Sequence, residues 1–390
     1  MRKLGIIAIG YNRPASLNRL LTLLSLADYR SDAVDIIISL DYSGVEEVER
    51  VADSFEWKYG NKIVEKQQER LGLRNHILKC GSYMDKYDID AVAVFEDDVC
   101  PSPGFYNFMK QSVDYYFDDD SVAGISLYSN LWNSVVNLPF EPVKSSLDVF
   151  LMRTAQSWGQ IWFRDKWNAF YAWYEQNKDR EITERIPRYI RNWPESSWLK
   201  YHIAYCVENN RYFVFPYNSL TTCFADKGEH TVEHINTLQV PIEMGTDRQY
   251  RFAPSADIEI VYDTFYEPVG MGKYLGVKDE ELCVDLYGKK EDAKRYRYIL
   301  TKKNLPYKAI AGYDLELRPH EMNVIWNVKG SQIRLYDTAQ SSAKEPDAQI
   351  VDNSYYFRYN RSGKEMVEYA VKQKIREIKV ARNRKKTEKK

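Results

Sequence analysis

Glu96-Asp97-Asp98 is the stretch of this sequence best equipped for chemistry. It follows Val92-Ala93-Val94-Phe95 directly, an apolar run that reads as a buried strand. Three acids at one strand mouth repel one another, which costs stability unless a cation compensates. Their hard oxygens suit Mg2+ or Mn2+, ions that bridge a diphosphate and neutralise charge on a departing group. In isolation an acidic turn after a strand reads better as structure, but the place of this one in an alternating strand–helix pattern favours chemistry. Four further side chains invite the same double reading. Arg13 can offer a fork to phosphate, stack on a base, or be a surface charge. Asp41 can accept from a uracil N–H or a ribose hydroxyl, or close a turn before Val45. His76 sits on a helical face, where packing competes with nucleotide contact. His230, in Asp226-Lys227-Gly228-Glu229-His230, can ligate a metal or donate to phosphate, or lie on the surface.

The elements that must position these residues alternate along the first 130 positions. Strands are expected at Leu4–Ile9, Asp35–Leu40, Lys62–Glu65, Ala91–Phe95 and Val122–Tyr128. Helices are expected between them: one capped by Ser16 with Leu17, Leu20, Leu21 and Leu24 on one face, then Val45–Phe55, Leu71–Tyr87 and Phe105–Phe117. This alternation calls for an α/β fold with a mainly parallel, doubly wound sheet. Ligands of such sheets bind outside the carboxyl ends of the strands, where Asn12, Arg13, Asp41 and Glu96–Asp98 all fall. Further on, Trp162–Tyr174 and Ser196–Asn209 read as helices and Tyr212–Phe215 as a strand. Short alternating runs at Asp257–Tyr262, Met322–Val328 and Gln332–Tyr336 suggest a smaller β-rich appendage. The expected division is 1–235, 236–365 and a basic tail, 366–390.

Composition narrows the classes. The 390 residues carry a net charge of −1, which argues against nucleic acid as a partner of the whole molecule. Residues 372–390 hold ten Lys or Arg against two Glu, so this stretch is +8 and the remainder −9. Five cysteines without a CxxC pair argue against a disulfide framework or zinc site and fit a reducing compartment. The first apolar stretch is too short for a signal peptide, and no run reaches the ~18 apolar residues of a spanning helix. A cytoplasmic protein is expected, peripheral at the inner face of the membrane if the tail docks there. In that tail Val367, Val371, Ile375 and Ile378 share a helical stripe flanked by Lys372, Lys374, Arg376 and Lys379, a pattern for an anionic bilayer or simply a solvated tail.

The acidic triplet followed by Pro101-x-Pro103-x-Phe105-Tyr106-x-Phe108 resembles the metal motif of GT-A glycosyltransferases. More specifically it is similar to the inverting family of the animal Golgi N-acetylglucosaminyltransferase that starts complex N-glycans, with its bacterial surface-polysaccharide relatives. The likeness covers roughly residues 4–235. Gly10-Tyr11-Asn12-Arg13-Pro14 resembles the family's nucleotide loop, and Ile38-Ser39-Leu40-Asp41 its second-strand aspartate. Gly72-Leu73-Arg74-Asn75-His76 resembles the basic segment before the metal strand. Ser157-Trp158-Gly159-Gln160-Ile161-Trp162 is similar to the aromatic-glycine acceptor loop, and Gly228-Glu229-His230 stands where the family has a histidine near the diphosphate.

The resemblance implies a metal-dependent inverting transferase working with Mn2+ or Mg2+ and a nucleotide-sugar donor, a UDP-sugar, on a glycan or lipid-linked glycan acceptor. Arg13, Asp41, His76 and Asp97 would serve the donor; Asp98, Glu96 and His230 the metal. The family's Trp-Pro, three residues, Trp, then two aspartates is matched by Trp193-Pro194 and Trp198. Leu199-Lys200 stand where the aspartates belong. The nearest acid, Glu195, is therefore the expected catalytic base, with Asp165 as the fallback. Two other readings keep the scaffold. A sugar nucleotidyltransferase would need a Gly-rich loop after the first strand, where this chain has one Gly. A non-catalytic glycan-binding protein is favoured by the missing aspartates and opposed by the intact triplet.

Overall fold

The computed structural model describes residues 2–224, 226, 238–344 and, further on, 367, 368, 370–372, 374, 375 and 378. The chain divides into two compact units, Met1–Glu345 and Pro346–Lys390.

The first unit begins with the expected alternation: β1 (Leu4–Gly10), α1 (Pro14–Ser25), β2 (Asp35–Leu40), α2 (Glu46–Ser54), β3 (Lys62–Lys66), α3 (Gly72–Gly81), α4 (Tyr83–Lys86), β4 (Ala91–Glu96), β5 (Val99–Pro101), α5 (Phe105–Tyr116) and β6 (Val122–Ser126). Every residue of β1 and β2 is buried, which is why both read as unbroken apolar runs. Successive side chains of a strand point to opposite faces, and β1 feeds two cores. Ile6 and Ala8 join Leu17, Leu20, Leu21 and Phe108 on one side. Ile7 and Ile9 join Ile77, Met84 and Trp167 on the other. The doubly wound α/β architecture is present.

Local details differ from expectation. Helix α1 starts at Pro14, whose ring pre-sets the first helical φ, and Arg13 occupies the cap position. Ser16 therefore lies inside the first turn, where its hydroxyl donates to Asp226 at 3.1 Å. The single helix expected over 71–87 is two, α3 and α4. Gly81 ends α3 where it meets a neighbouring helix: a Cβ there would stand 1.9 Å from Trp167 Nε1.

The chain continues through β7 (Trp132–Asn133), β8 (Leu138–Pro139), β9 (Val149–Met152), β10 (Gln160–Phe163), α6 (Arg164–Asn177), α7 (Arg188–Arg191), α8 (Leu199–Glu208), β11 (Tyr212–Pro216), β12 (Thr221–Cys223) and β13 (Val261–Tyr262). Nine strands form the large sheet in the order β13-β9-β11-β6-β10-β4-β1-β2-β3. Strands β1, β2, β3, β4, β6 and β11 share one direction; β10, β9 and β13 oppose it. Trp162, read as opening a helix, instead lies in β10, which wedges antiparallel between β4 and β6. Because β10 runs backwards, its first residue Gln160 pairs with Val94 and Ser126, near the carboxyl ends of β4 and β6. The loop before β10 is thereby delivered to the edge that carries the acidic triplet.

Beyond β13, α9 (Gly272–Leu275), β14 (Leu282–Asp285), β15 (Tyr298–Thr301), β16 (Tyr307–Tyr313), α10 (Glu321–Ile325) and β17 (Ile333–Ser341) build a four-stranded sheet in the order β14-β15-β17-β16. Its core includes Met271, Leu300, Val324 and Leu335. The expected strand Met322–Val328 is largely α10. There the buried Asn323 accepts from the Glu316 and Leu317 amides at 2.8 Å each, so side-chain hydrogen bonds fix a turn that alternation alone had suggested was extended. Of Asp257–Tyr262 only the last two residues are strand, and they complete the large sheet. Tyr262 donates to the Glu321 side chain at 2.7 Å, a buried pair that joins the large sheet to α10.

In the second unit the described residues 367, 368, 370–372, 374, 375 and 378 are helical, with Val367, Val371, Ile375 and Ile378 exposed. No described helix is long and apolar enough to cross a membrane.

Candidate active site

Strand ends gather the predicted residues. A cavity of about 150 Å³ at the carboxyl ends of β1, β2 and β4 is lined by Arg13, Asp41, His76, Glu96, Asp97 and Asp98, together with Tyr11, Asn12 and Arg70. Residues 84 positions apart meet because β4 pairs with β1 in register, Ile9 beside Glu96.

Within the triplet the three carboxylates have different surroundings. Asp97 is buried and forked by Arg13, which reaches both its oxygens, one of them from Nε at 3.2 Å. The same guanidinium stands 3.6 Å from Asp98. Burial pushes Asp97 up to about 6 against the pull of Arg13. Burial, then the charges of Asp98 and Asp97, pushes Glu96 up to about 8. Asp98 keeps 32% of its side-chain surface exposed. Arg13, expected to fork a phosphate, is thus turned onto the acids, and Asp97 serves to hold it there.

Asp41 also carries structural duty. Its carboxylate accepts from the amides of Tyr42, Leu71 and Gly72 at 2.8–2.9 Å, which ties the end of β2 to the start of α3. Its lone pairs are partly spent before any nucleoside arrives. His76 is buried, with Nε2 2.7 Å from Ser39 Oγ, and burial lowers it to about 4. A neutral, largely buried ring that forms part of the cavity wall is the result.

The basic segment's own arginine does not reach the cavity, whereas Arg70, two residues before that segment, does. Arg70 lines the cavity, its guanidinium over the Tyr11 ring at 5.1 Å. Arg74 faces away, 3.3 Å from the Tyr201 hydroxyl. Sequence reasoning passed over Arg70; the signal was a cation two residues before the glycine that opens α3. The segment after β12 is fastened beside the triplet: the Phe224 amide donates to the Asp98 carbonyl at 2.7 Å, and Asp226 pairs with Arg19. His230 lies outside the described residues.

A second cavity of about 620 Å³ shares Glu96 and Leu73 with the first. Trp158 of the loop before β10 lines it, as do Trp193, Pro194 and Trp198 of the turn before α8. Gly159 permits that loop: its φ is +87°, and a Cβ would meet Thr221 Cγ2 at 2.6 Å. Lys200, standing where an aspartate was expected, is buried and donates to the Trp193 carbonyl at 3.1 Å. Glu195 is exposed on the same turn, between lining residues but not itself lining the cavity. Asp165 is exposed in the first turn of α6, next to Arg164, which pairs with Asp88 and Asp90 before β4. The fallback base therefore sits at the opposite edge of the sheet from the triplet.

Among the described residues no three His, Cys, Asp or Glu side chains converge as a ready metal cage. A Mg2+- or Mn2+-type ion does not require one, since it is commonly held by one or two carboxylates plus substrate phosphates and waters. Partly exposed Asp98, in a trio with more negative charge than Arg13 balances, fits that pattern.

No protein-family model matches the chain, and no curated protein matches it in sequence. Solved structures do resemble it. S. aureus TarS 1–349 has a TM-score of 0.36 at 13% identity, over 57% of this chain and 60% of that one; the same protein is also known in complex with UDP-GlcNAc. A mannosyltransferase from Pyrobaculum calidifontis, in complex with GDP-Man and Mn2+, has a TM-score of 0.31 at 15% identity, over 42% and 46%. A cytidylyltransferase from Leptospira borgpetersenii has a TM-score of 0.28 at 10% identity, over 46% and 73%. This chain thus spans less than two thirds of the length of the first two, and at these scores the likeness carries no argument about activity.

Proposed function

We propose that the protein is a metal-dependent glycosyltransferase that uses a nucleotide-diphosphate sugar, a UDP-sugar by the sequence resemblance, and transfers with inversion to a glycan acceptor of a bacterial surface polysaccharide. The observation that carries this reading is the pair of cavities meeting at Glu96. One is small, cationic and acidic at strand ends; the other is large and aromatic. Together they suit a charged donor and a bulky acceptor on either side of a reacting bond.

Mn2+ or Mg2+ at Asp98, with Glu96 alongside, would supply neutralisation of diphosphate charge. The chain's own residues do the rest. Asn12, Tyr11 and Arg70 line the donor side, Arg70 as the phosphate cation and Tyr11 as a ring for the base. Asp97 orients Arg13, and Asp41 fixes the loop of Leu71 and Gly72 against the nucleoside side. Glu195, on the turn that contributes Trp193 and Ser197 to the larger cavity, is the candidate base that takes the acceptor hydroxyl proton. The exposed apolar stripe of the second unit, within residues 367–390 of net charge +7, would rest on an anionic membrane surface.

A panel of UDP- and GDP-sugars incubated with the protein and Mn2+ tests the reading. Metal-dependent release of the nucleoside diphosphate from one donor is expected. No turnover and no binding of any donor would leave a glycan-binding scaffold as the better description.

A further inference from the structure

The larger cavity has an electrical character that the smaller one lacks. Among its described lining residues Glu96 is the one acid, and no Lys, Arg or His is present. Arg13 and Arg70 line the smaller cavity next door. In place of cations the larger cavity presents rings from Trp132, Trp158, Tyr189, Trp193 and Trp198. Several of these rings are braced. Trp193 meets Tyr189 nearly edge-on at 5.8 Å, Trp158 meets Tyr128 at 5.0 Å, and Trp198 is buried. Between them lie neutral hydrogen-bonding groups. Gln156 donates to Asn130 at 3.0 Å, so this amide pair is oriented beforehand.

Resting on the transferase reading, we propose that the group seated here is an uncharged pyranose, and that the acceptor end carries no phosphate. A pyranose offers C–H faces to aromatic rings and a rim of hydroxyls to amides and hydroxyls, the two kinds of surface this cavity presents. A phosphate would lose water without gaining a cation from the described lining, which disfavours it. The volume of about 620 Å³ falls within the ~300–1,000 Å³ typical of small-ligand sites. Polyol-phosphate chains and diphosphate-linked lipid heads are thereby excluded as the group in direct contact.

The test uses the full chain with cellobiose, lactose and N,N′-diacetylchitobiose as neutral probes. Glucose 6-phosphate and ribitol 5-phosphate are the charged ones. Binding is read by tryptophan fluorescence and saturation-transfer NMR, and UDP–Mn2+ binding is measured on the same samples. At least one neutral disaccharide should bind at least about tenfold more tightly than either phosphate, and Trp193→Ala should weaken it by about tenfold, the scale of losing an aromatic anchor. Ser197→Lys, which adds a cation to the wall, should shift preference towards the phosphates. Phosphates bound as tightly as sugars, or sugar affinity untouched by Trp193→Ala in a folded variant, would overturn the inference. UDP–Mn2+ binding with no neutral sugar bound overturns it too while sparing the transferase reading. Sugar binding without nucleotide binding instead overturns the transferase reading and keeps the cavity's preference.

Discussion

Arg13 is the counter-charge on which the acidic triplet depends. It is the cation bonded to buried Asp97, so Arg13→Met leaves a carboxylate without its partner. Breaking such a pair costs on the order of 3 kcal/mol, and chemical denaturation should show a loss of that size. An unchanged midpoint would mean that Asp97 is satisfied without Arg13. Glu195 makes a different prediction. If it is the base, Glu195→Gln lowers kcat by about 10²- to 10⁴-fold and spares UDP affinity. Full turnover in that variant would remove the base from this turn. At this scale the sequence was legible wherever a residue directly followed a strand: Arg13, Asp41 and Glu96–Asp98 all reach one cavity. It was illegible where a side chain's partner decided its role. Arg70 and Arg74 are four apart on one segment, yet only packing sends one to the cavity and the other to Tyr201.

Among the elements, two contacts give sharp expectations. Gly81 lets α3 approach α6, and Gly81→Ala forces a Cβ into the Trp167 indole. The variant should lose about 1–3 kcal/mol of stability, the usual cost of overpacking a core, visible as a lower Tm. The Tyr262–Glu321 pair sets a pH dependence. Burial raises Glu321 from 4.5 to about 7 in the folded chain. A raised carboxyl pKa means the folded state favours the protonated form. Its stability is therefore fully present below pH 4.5 and is lost as pH rises to about 7. Glu321→Gln keeps an acceptor for the tyrosine and removes the titration. At pH 8 it should be more stable than the parent, by on the order of 2–3 kcal/mol, and the gap should close at pH 4. A variant tracking the parent at every pH would contradict this. Strands β1, β2 and β4 were readable because burial on both faces demands unbroken apolar runs. Met322–Val328 misled because alternation marks a strand only where no side chain captures the backbone, and Asn323 does.

For the whole molecule, the order of β10 between β4 and β6 was beyond local reading, since strand neighbours are chosen by distant packing. That one insertion brings the Trp158 loop to the triplet and makes a two-cavity site. The second unit offers a separate test. Full-length protein should sediment with phosphatidylserine-containing vesicles and release as salt rises from ~0.1 M to ~0.5 M, where screening shortens to a few ångströms. Val371→Glu with Ile375→Glu should abolish sedimentation without touching donor hydrolysis. Binding unaffected by either change would show that the stripe faces something other than an anionic bilayer.

The central claim is that Asp98 completes a metal–diphosphate site at the mouth of β4. Titration calorimetry of UDP into the protein, with Mn2+ and with EDTA, addresses it most directly. The parent should bind UDP with Mn2+ and lose at least about tenfold in affinity without it, a coupling of ~1.4 kcal/mol or more. Asp98→Ala, which alters a partly exposed side chain, should fold as the parent does and bind UDP equally weakly in both conditions. Metal-enhanced UDP binding that survives in Asp98→Ala would contradict the account.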